Sequence, residues 1–307
     1  MNGFKMEASD LALKIANCIQ QKRELSMHQG LALKIGFKVL EQAKNLRLQK
    51  QRDFKTLCKQ ARMMARQLVG AFFKPKYWRL KNGLLKKMCE NPLLIAEDFL
   101  KLYSSSNERL MFYDEVYSKI FSRSIEKLDK NKNVAIIDIG TGFNVFSLKW
   151  LLNHARVKHY FAIDASLEVF ETVSRFSECL KQQGLNKEVS VNIQPMLEDV
   201  SSIEFLKRLE ALFKNLKSQG FDSESVYCFL FKTLDGVEFL NPGFSLKLLQ
   251  ELVKQCIVIV SFSKQSLSGK VFKFERFWFS KLLKKLGVDC YEFTIPGEVF
   301  FVLKRIE

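Results

Sequence analysis

The sequence predicts an α/β chain in which a basic, all-helical N-terminal segment precedes a seven-stranded, largely parallel sheet with an antiparallel last strand. Three observations predict it. Early in the chain, apolar residues recur at three and four spacings (Leu11, Ile15, Ile19, then Leu31, Ile35, Val39) with no proline between them, the pattern of amphipathic helices. From about residue 133 the rhythm changes to short apolar runs separated by helical stretches, the alternation that builds a parallel sheet covered on both faces. The last two runs are separated only by Ile295, Pro296, Gly297 and Glu298, too few residues for a helical crossover, so the seventh strand runs against its neighbour.

Composition bounds the reading. The chain has 307 residues, 47% hydrophobic and 27% charged, with 14 Gly and 5 Pro, which supports a sizeable core and excludes disordered, collagenous and low-complexity classes. Its length suggests two domains, here 1–100 and 101–307. No apolar run approaches the roughly 18 residues of a membrane span. Lys5, Glu7 and Asp10 interrupt the start where a secretory signal needs an apolar region, so a cytoplasmic location and no membrane partner are expected. Seven scattered cysteines without a C-x-x-C pair, and three histidines (His28, His154, His159) without ligand spacing, predict neither a disulfide framework nor a metal site.

Charge is the first informative quantity. Residues 1–100 hold 20 Lys and Arg against 8 Asp and Glu, whereas the remaining 207 hold 29 against 25, so most of the net +16 sits in the first third. Such asymmetry points to a polyanion partner, the bland alternative being a solvated helical surface. Lys44, Arg47, Lys50, Arg52, Lys55, Lys59, Arg62 and Arg66 recur mostly at three and four spacings and form one positive stripe suited to RNA phosphates. Phe72, Phe73, Pro75, Tyr77 and Trp78 follow, interleaved with Lys74, Lys76 and Arg79. This mixture fits base stacking with phosphate contacts, and it fits the bundle's core equally well.

The strands read as Val134–Ile139, His159–Ile163, Val189–Ile193, Val226–Phe231, Cys256–Phe262, Cys290–Thr294 and Val299–Lys304. Parallel strands closed by an antiparallel hairpin are the layout of Rossmann-like, class I methyltransferases that use S-adenosylmethionine. The first strand ends in Asp138-Ile139-Gly140-Thr141-Gly142-Phe143-Asn144, where glycines allow a tight turn and a close ligand approach. Val145 stands where a dinucleotide fingerprint needs its third glycine, which argues against a nicotinamide oxidoreductase. Asp164 ends the second strand, where a carboxylate can accept from ribose hydroxyls, and Glu198-Asp199-Val200 follow the third, where one can meet an adenine amine beside an apolar wall. Each Asp could instead cap a helix.

Taken together these segments resemble the methyltransferases of 16S ribosomal RNA that modify N7 of a decoding-site guanosine and confer aminoglycoside resistance. Ser104 to Leu110 is similar to the family's His-x-Ser-Thr-Lys-Glu-Arg-Leu segment, and Ile137 to Asn144 to its Leu-Asp-Ile-Ala-Cys-Gly-Leu-Asn. Leu197 to Val200 resembles Leu-Gln-Asp-Val, Phe231 to Leu234 resembles Phe-Lys-Leu-Leu, and Ser261-Phe262 with Ser266, Leu267 and Gly269 resembles Ser-Phe-Pro-Thr-Arg-Ser-Leu-Gly-Gly. Tyr103 stands in a His position, Ser263 replaces a Pro and Gln265 an Arg. The resemblance implies S-adenosylmethionine as cofactor, held by Tyr103, Ser106, Arg109, Gly140, Gly142, Asp164, Ala165, Asp199, Val200 and Phe231. Arg109 would pair with the methionine carboxylate, Asp164 would hold ribose, and Asp199 and Val200 would frame adenine. Lys264 and Lys270, in the loop Ser261 to Lys273, join the stripe residues as implied RNA contacts over a flipped base.

The chemistry fits what the sequence lacks. There is no Asn/Asp-Pro-Pro-aromatic segment for exocyclic amines and no Pro-Cys nucleophile for cytosine C5. Guanine N7 carries a lone pair and no proton, so no general base is expected and catalysis rests on positioning. The expected partner is 16S rRNA in the 30S subunit, and the expected state a monomer. The alternatives are an RNA methyltransferase with a different rRNA target base, and a non-catalytic rRNA-binding assembly factor.

Overall fold

The computed structural model describes residues 8–43, 51–124, 132–183, 191–264 and 276–306. Three helices come first: α1 (Ala8–Gln20), α2 (Gln29–Gln42) and α3 (Gln51–Leu68). Their apolar faces meet in a core of their own, including Ile15, Ile19, Leu31, Ile35, Val39, Leu57, Ala61 and Ala65. Gly36 sets how closely α1 and α2 approach, because a Cβ there would lie 2.5 Å from the Ala12 carbonyl oxygen.

Four more helices lead to the sheet: α4 (Tyr77–Met88), α5 (Pro92–Leu102), α6 (Ser104–Arg109) and α7 (Tyr113–Ser124). Asn91 caps α5 by accepting from the Leu94 N–H, and Pro92 occupies the first turn, where its missing N–H is no loss. These helices have no core separate from the sheet's: Tyr77, Phe99, Tyr103 and Tyr117 share one apolar cluster with Ile136, Phe143 and Phe229. The buried residues of the first cluster run to Val69 and those of the sheet's cluster begin at Phe73. The aromatic segment belongs to this cluster. Phe73 and Tyr77 are buried, with Phe73 packed against Tyr77, Trp78, Tyr103 and Phe143, so these two rings are core and not a stacking platform for bases.

The strands are β1 (Asn133–Ile139), β2 (Arg156–Asp164), β3 (Asn192–Leu197), β4 (Val226–Phe231), β5 (Ile257–Ser263), β6 (Val288–Ile295) and β7 (Glu298–Arg305). They are ordered β3-β2-β1-β4-β5-β7-β6, and β7 is antiparallel to both β5 and β6, between which it inserts. Strand alternation divides the residues between the two faces. Val134 and Ile136 of β1 with Tyr227, Phe229 and Phe231 of β4 meet the cluster just described, while Ala135, Ile137, Ile139, Val226, Cys228 and Leu230 face a second one. On that second face lie α10 (Ile203–Ser218), α11 (Leu234–Leu240), α12 (Phe244–Leu252) and α13 (Phe277–Leu286); short α8 (Leu148–Leu151) and α9 (Leu167–Gln182) cover the first.

Two expectations need correction. Among the described residues the third strand is Asn192–Leu197, reaching four residues beyond the predicted Val189–Ile193, of which residues 189 and 190 lie outside the described residues. It is the sheet's edge, alternates polar with apolar and carries Pro195, which an edge tolerates, so it never reads as a continuous apolar run. The cysteines are not all separate: Cys18 is joined to Cys58 and Cys89 to Cys179, at sequence separations of 40 and 90 that leave no local spacing pattern. Among the described residues no helix is long and apolar enough to cross a membrane.

Candidate functional site: a cleft at the carboxyl ends of the strands

A cavity of about 640 Å³ opens where β1, β2, β3 and β4 end, at the point where strand order reverses, the usual ligand position in such sheets. The turn after β1 forms its floor. Gly140 and Gly142 have φ of 71° and 47°. A Cβ on Gly140 would lie 2.5 Å from Thr233 Oγ1, and one on Gly142 would lie 2.5 Å from the Tyr103 ring, so both positions need glycine for conformation and for space.

Asp164 receives the Gly142 N–H on Oδ2 and the Ser166 N–H on Oδ1, both at 2.8 Å, which binds the ends of β1 and β2 together beside the cavity. Burial pushes its carboxyl up to about 6, against the pull of those two backbone donors. Neither Asp164 nor Asp199 caps a helix; Ser166 caps α9 and Ser202 caps α10. Asp199, buried after β3, takes the Ser201 N–H at 3.1 Å and the Ser201 hydroxyl at 2.7 Å on Oδ1. Its Oδ2 lies 2.8 Å from the Lys34 ammonium of α2. The same wall is tied to the helices through backbone: the His28 N–H donates to the Ala165 carbonyl at 2.7 Å, and the Leu167 N–H to the Ser26 carbonyl at 3.1 Å. Val200, Ala165 and Leu31 complete this end of the cavity.

At the other end stand Tyr103, Phe231, Ser105, Glu108 and Lys232. Helical periodicity divides α6 between cavity and core: Ser105 and Glu108 line the cavity, whereas Ser106 and Arg109 are buried behind them. Arg109 is not turned to the cavity. Its Nε donates to Glu298 Oε2 and its Nη1 to Asn144 Oδ1, both at 3.0 Å, and its guanidinium lies 4.9 Å from the Phe231 ring. Asn144 in turn donates to Asp138, which also accepts from Thr141 and Tyr160, so a buried polar network backs the glycine turn. Lys232 has φ of 59°, the one non-glycine positive value among the described residues. Its ammonium pairs with Glu108 and lies 3.4 Å from Glu298.

The basic residues divide less evenly. Lys55, Lys59 and Arg66 are exposed on α3, opposite buried Leu57, Ala61 and Ala65, and the same helix ends in Gln67 and Leu68 in the cavity wall. Arg62 is half-buried and donates Nε to the Cys18 carbonyl at 2.9 Å, so part of its guanidinium is committed to holding α1. Lys264 is exposed beside the cavity. Lys44, Arg47, Lys50, Lys270 and residues 265–273 of the predicted RNA-covering loop lie outside the described residues, as does the side chain of Arg52. Sequence reasoning missed Lys34, Lys232 and Glu298. Lys34 looks like any lysine on a basic helix, and Glu298 opens a strand 189 residues from its partner. Lys232 stands within the Phe-Lys segment, but no sequence signal marks its backbone conformation.

No protein-family model matches the chain, and no curated protein matches it. Solved structures do. The 16S rRNA methyltransferase RmtF, in complex with S-adenosyl-L-homocysteine, superposes with a TM-score of 0.63 at 17% identity, over 97% of this chain and 99% of that one. The 16S rRNA methylase ArmA gives 0.48 at 21% identity over 73% of this chain and 97% of its own. A SAM-dependent methyltransferase from Aquifex aeolicus gives 0.39 at 14% over 64% and 96%. The first match, near end to end in both chains, establishes a shared fold: a seven-stranded Rossmann-like sheet with an antiparallel last strand and helices before it.

Proposed function

We propose that this protein transfers a methyl group from S-adenosylmethionine to N7 of a guanosine in the decoding site of 16S rRNA, acting on the 30S subunit as a cytoplasmic monomer. In this reading α1–α3 dock on RNA and the sheet carries the chemistry. The observation that carries the proposal is the cavity at the switch point, with Asp164 and Asp199 at successive strand ends, each followed in the cavity lining by an apolar residue, Ala165 and Val200. That set of acceptors fits a nucleoside: two carboxylates accept from hydroxyls and an amine, and the apolar residues beside them suit a flat ring. When bound, S-adenosylmethionine supplies an electrophilic methyl group on a sulfonium centre. The protein's part is to hold the acceptor base in line and exclude water, since guanine N7 has no proton to remove. Tyr103, Phe231 and Phe72 give that region an aromatic wall. Lys55, Lys59 and Arg66 lie on the helix that runs into the cavity, which suits docking by phosphate contact.

One observation favours a second reading, an rRNA-binding assembly factor without catalysis. Arg109, the residue implied to hold the methionine carboxylate, is committed to Glu298. A single experiment separates the two. Tritium transfer from labelled S-adenosylmethionine to purified 30S subunits, followed by reductive cleavage at N7-methylguanosine, gives a strand break in the decoding site if the proposal holds. Incorporation without that break moves the target base. No incorporation, together with no calorimetric binding of S-adenosylhomocysteine, supports the assembly factor.

A further inference from the structure

We infer that Lys34, on the N-terminal helices, is a positioning residue that sets purine specificity in the cleft by fixing Asp199 as a single-acceptor carboxylate. The inference rests on the proposed cofactor reading and goes beyond it, because it assigns part of the cofactor site to the helical unit. The Lys34 ammonium has three donors, and three acceptors surround it: Asp199 Oδ2 at 2.8 Å, the Ser201 carbonyl at 2.8 Å and Ser201 Oγ at 3.0 Å. It is therefore held in one geometry. Asn241 donates to the same Ser201 carbonyl at 3.1 Å, which fixes the loop from the other side. The first turn of α2 lies against the carboxylate as well, since a Cβ on Gly30 would be 3.6 Å from Asp199 Oδ2.

The consequence follows from lone pairs. Asp199 Oδ1 is filled by the Ser201 N–H and hydroxyl, while Oδ2 has one direction taken by Lys34 and one left. Asp199 lines the cavity with its side chain only 4% exposed, so that direction is what it offers a ligand. An ionised carboxylate held in one orientation accepts and cannot donate. It matches the exocyclic amine of a 6-aminopurine and leaves a 6-oxopurine carbonyl facing another acceptor. Without Lys34 the carboxylate and the Ser201 loop lose the ammonium that holds them, so the remaining acceptor direction of Oδ2 is no longer aimed at the ligand and the discrimination between amine and carbonyl falls.

The test is titration calorimetry of S-adenosylhomocysteine and its 6-oxo analogue S-inosylhomocysteine, at neutral pH, on the full chain. Wild type should favour the adenosyl ligand by about tenfold or more, the worth of a charge-assisted hydrogen bond. Lys34→Met should bring that ratio to within about threefold, a loss of roughly half a decade or more in discrimination, and Lys34→Arg should restore most of it. A merely structural role would lower both affinities together and leave the ratio where it was. Asp199→Asn provides a second route if Lys34→Met does not fold, and it should abolish the preference too. An unchanged ratio in a folded Lys34→Met, or in Asp199→Asn, overturns the inference. If wild type binds neither ligand, the cofactor reading itself fails and takes this inference with it; adenosyl binding with an unchanged variant ratio removes only the role of Lys34.

Discussion

Arg109 and Glu298 form an ion pair at 3.0 Å with each side chain 2% exposed, joining the helix before the sheet to the first residue of its antiparallel last strand. Glu298 also accepts from Ser261 on β5, so one buried carboxylate ties α6, β5 and β7 at the cleft's rear. Removing Arg109 leaves Glu298 with only the more distant Lys232 ammonium at 3.4 Å, and neutralising Glu298 takes from buried Arg109 the carboxylate it pairs with. Arg109→Met or Glu298→Gln alone should cost about 3–5 kcal/mol of unfolding free energy, whereas the double variant should cost less than the sum. Urea denaturation of the four proteins checks it, and strictly additive losses would mean the pair is not coupled.

The carboxyl of Asp164 gives the cleft a pH dependence. Burial raises it from the ordinary 3.8 to about 6, so its contribution to stability is present below 3.8 and is lost as pH rises through about 6. Ligand binding runs the other way, because ribose hydroxyls need the ionised acceptor. Affinity for S-adenosylhomocysteine should be level above about pH 7 and fall toward tenfold per unit below about 6. Calorimetry from pH 5 to 8 measures this, and Asp164→Asn should bind more weakly with a flat profile. A level profile in the wild type would remove Asp164 from the ribose site.

How much of this was legible beforehand depended on whether a residue's role was local. Strands β1, β2, β4 and β5, the glycine turn, and the carboxylates at the end of β2 and after β3 follow from runs and end positions a few residues long. The insertion of β7 between β5 and β6 is not written in any such run, since the four-residue connection fixes only that two strands are antiparallel. Asp164 and Asp199 could be placed at strand ends, but not what holds them: Lys34 reaches Ser201 across 167 residues. Arg109 shows the converse. The resemblance implies it as a ligand contact, and no local run announces the Glu298 that the last strand brings to it. Phe73 and Tyr77 sit in a basic stretch yet pack on Phe143 of the sheet, a contact that no local run announces.

Gly140 in the first turn, set against Gly220 after α10, should separate backbone conformation from crowding. Gly220 has φ of 87° with nothing within 4 Å of a Cβ, so Gly220→Ala measures the conformational cost alone, about 1–2 kcal/mol. Gly140→Ala adds a collision with Thr233 Oγ1 at 2.5 Å and should lose about 1–3 kcal/mol more. Thr233→Ala in the Gly140→Ala background should recover part of that excess and none of the conformational part. Equal losses at Gly140 and Gly220 would show that the turn relaxes around the added methyl.

The basic face of α3 makes the last prediction, and Arg62 supplies its internal control. Lys55, Lys59 and Arg66 are exposed and can meet phosphates at no cost to packing, while Arg62 donates to the Cys18 carbonyl and helps hold α1 against α3. Charge reversal at the three exposed positions should therefore leave the melting temperature near wild type and weaken binding to 30S subunits or rRNA. It should also flatten the plot of log affinity against log salt by roughly 0.7–0.9 for each phosphate the protein no longer neutralises. Arg62→Glu should instead lower the melting temperature, because it removes a donor to a backbone carbonyl and puts a carboxylate against that oxygen. If the triple reversal leaves the salt slope unchanged, the positive stripe is solvated surface, and the RNA is held by another part of the molecule.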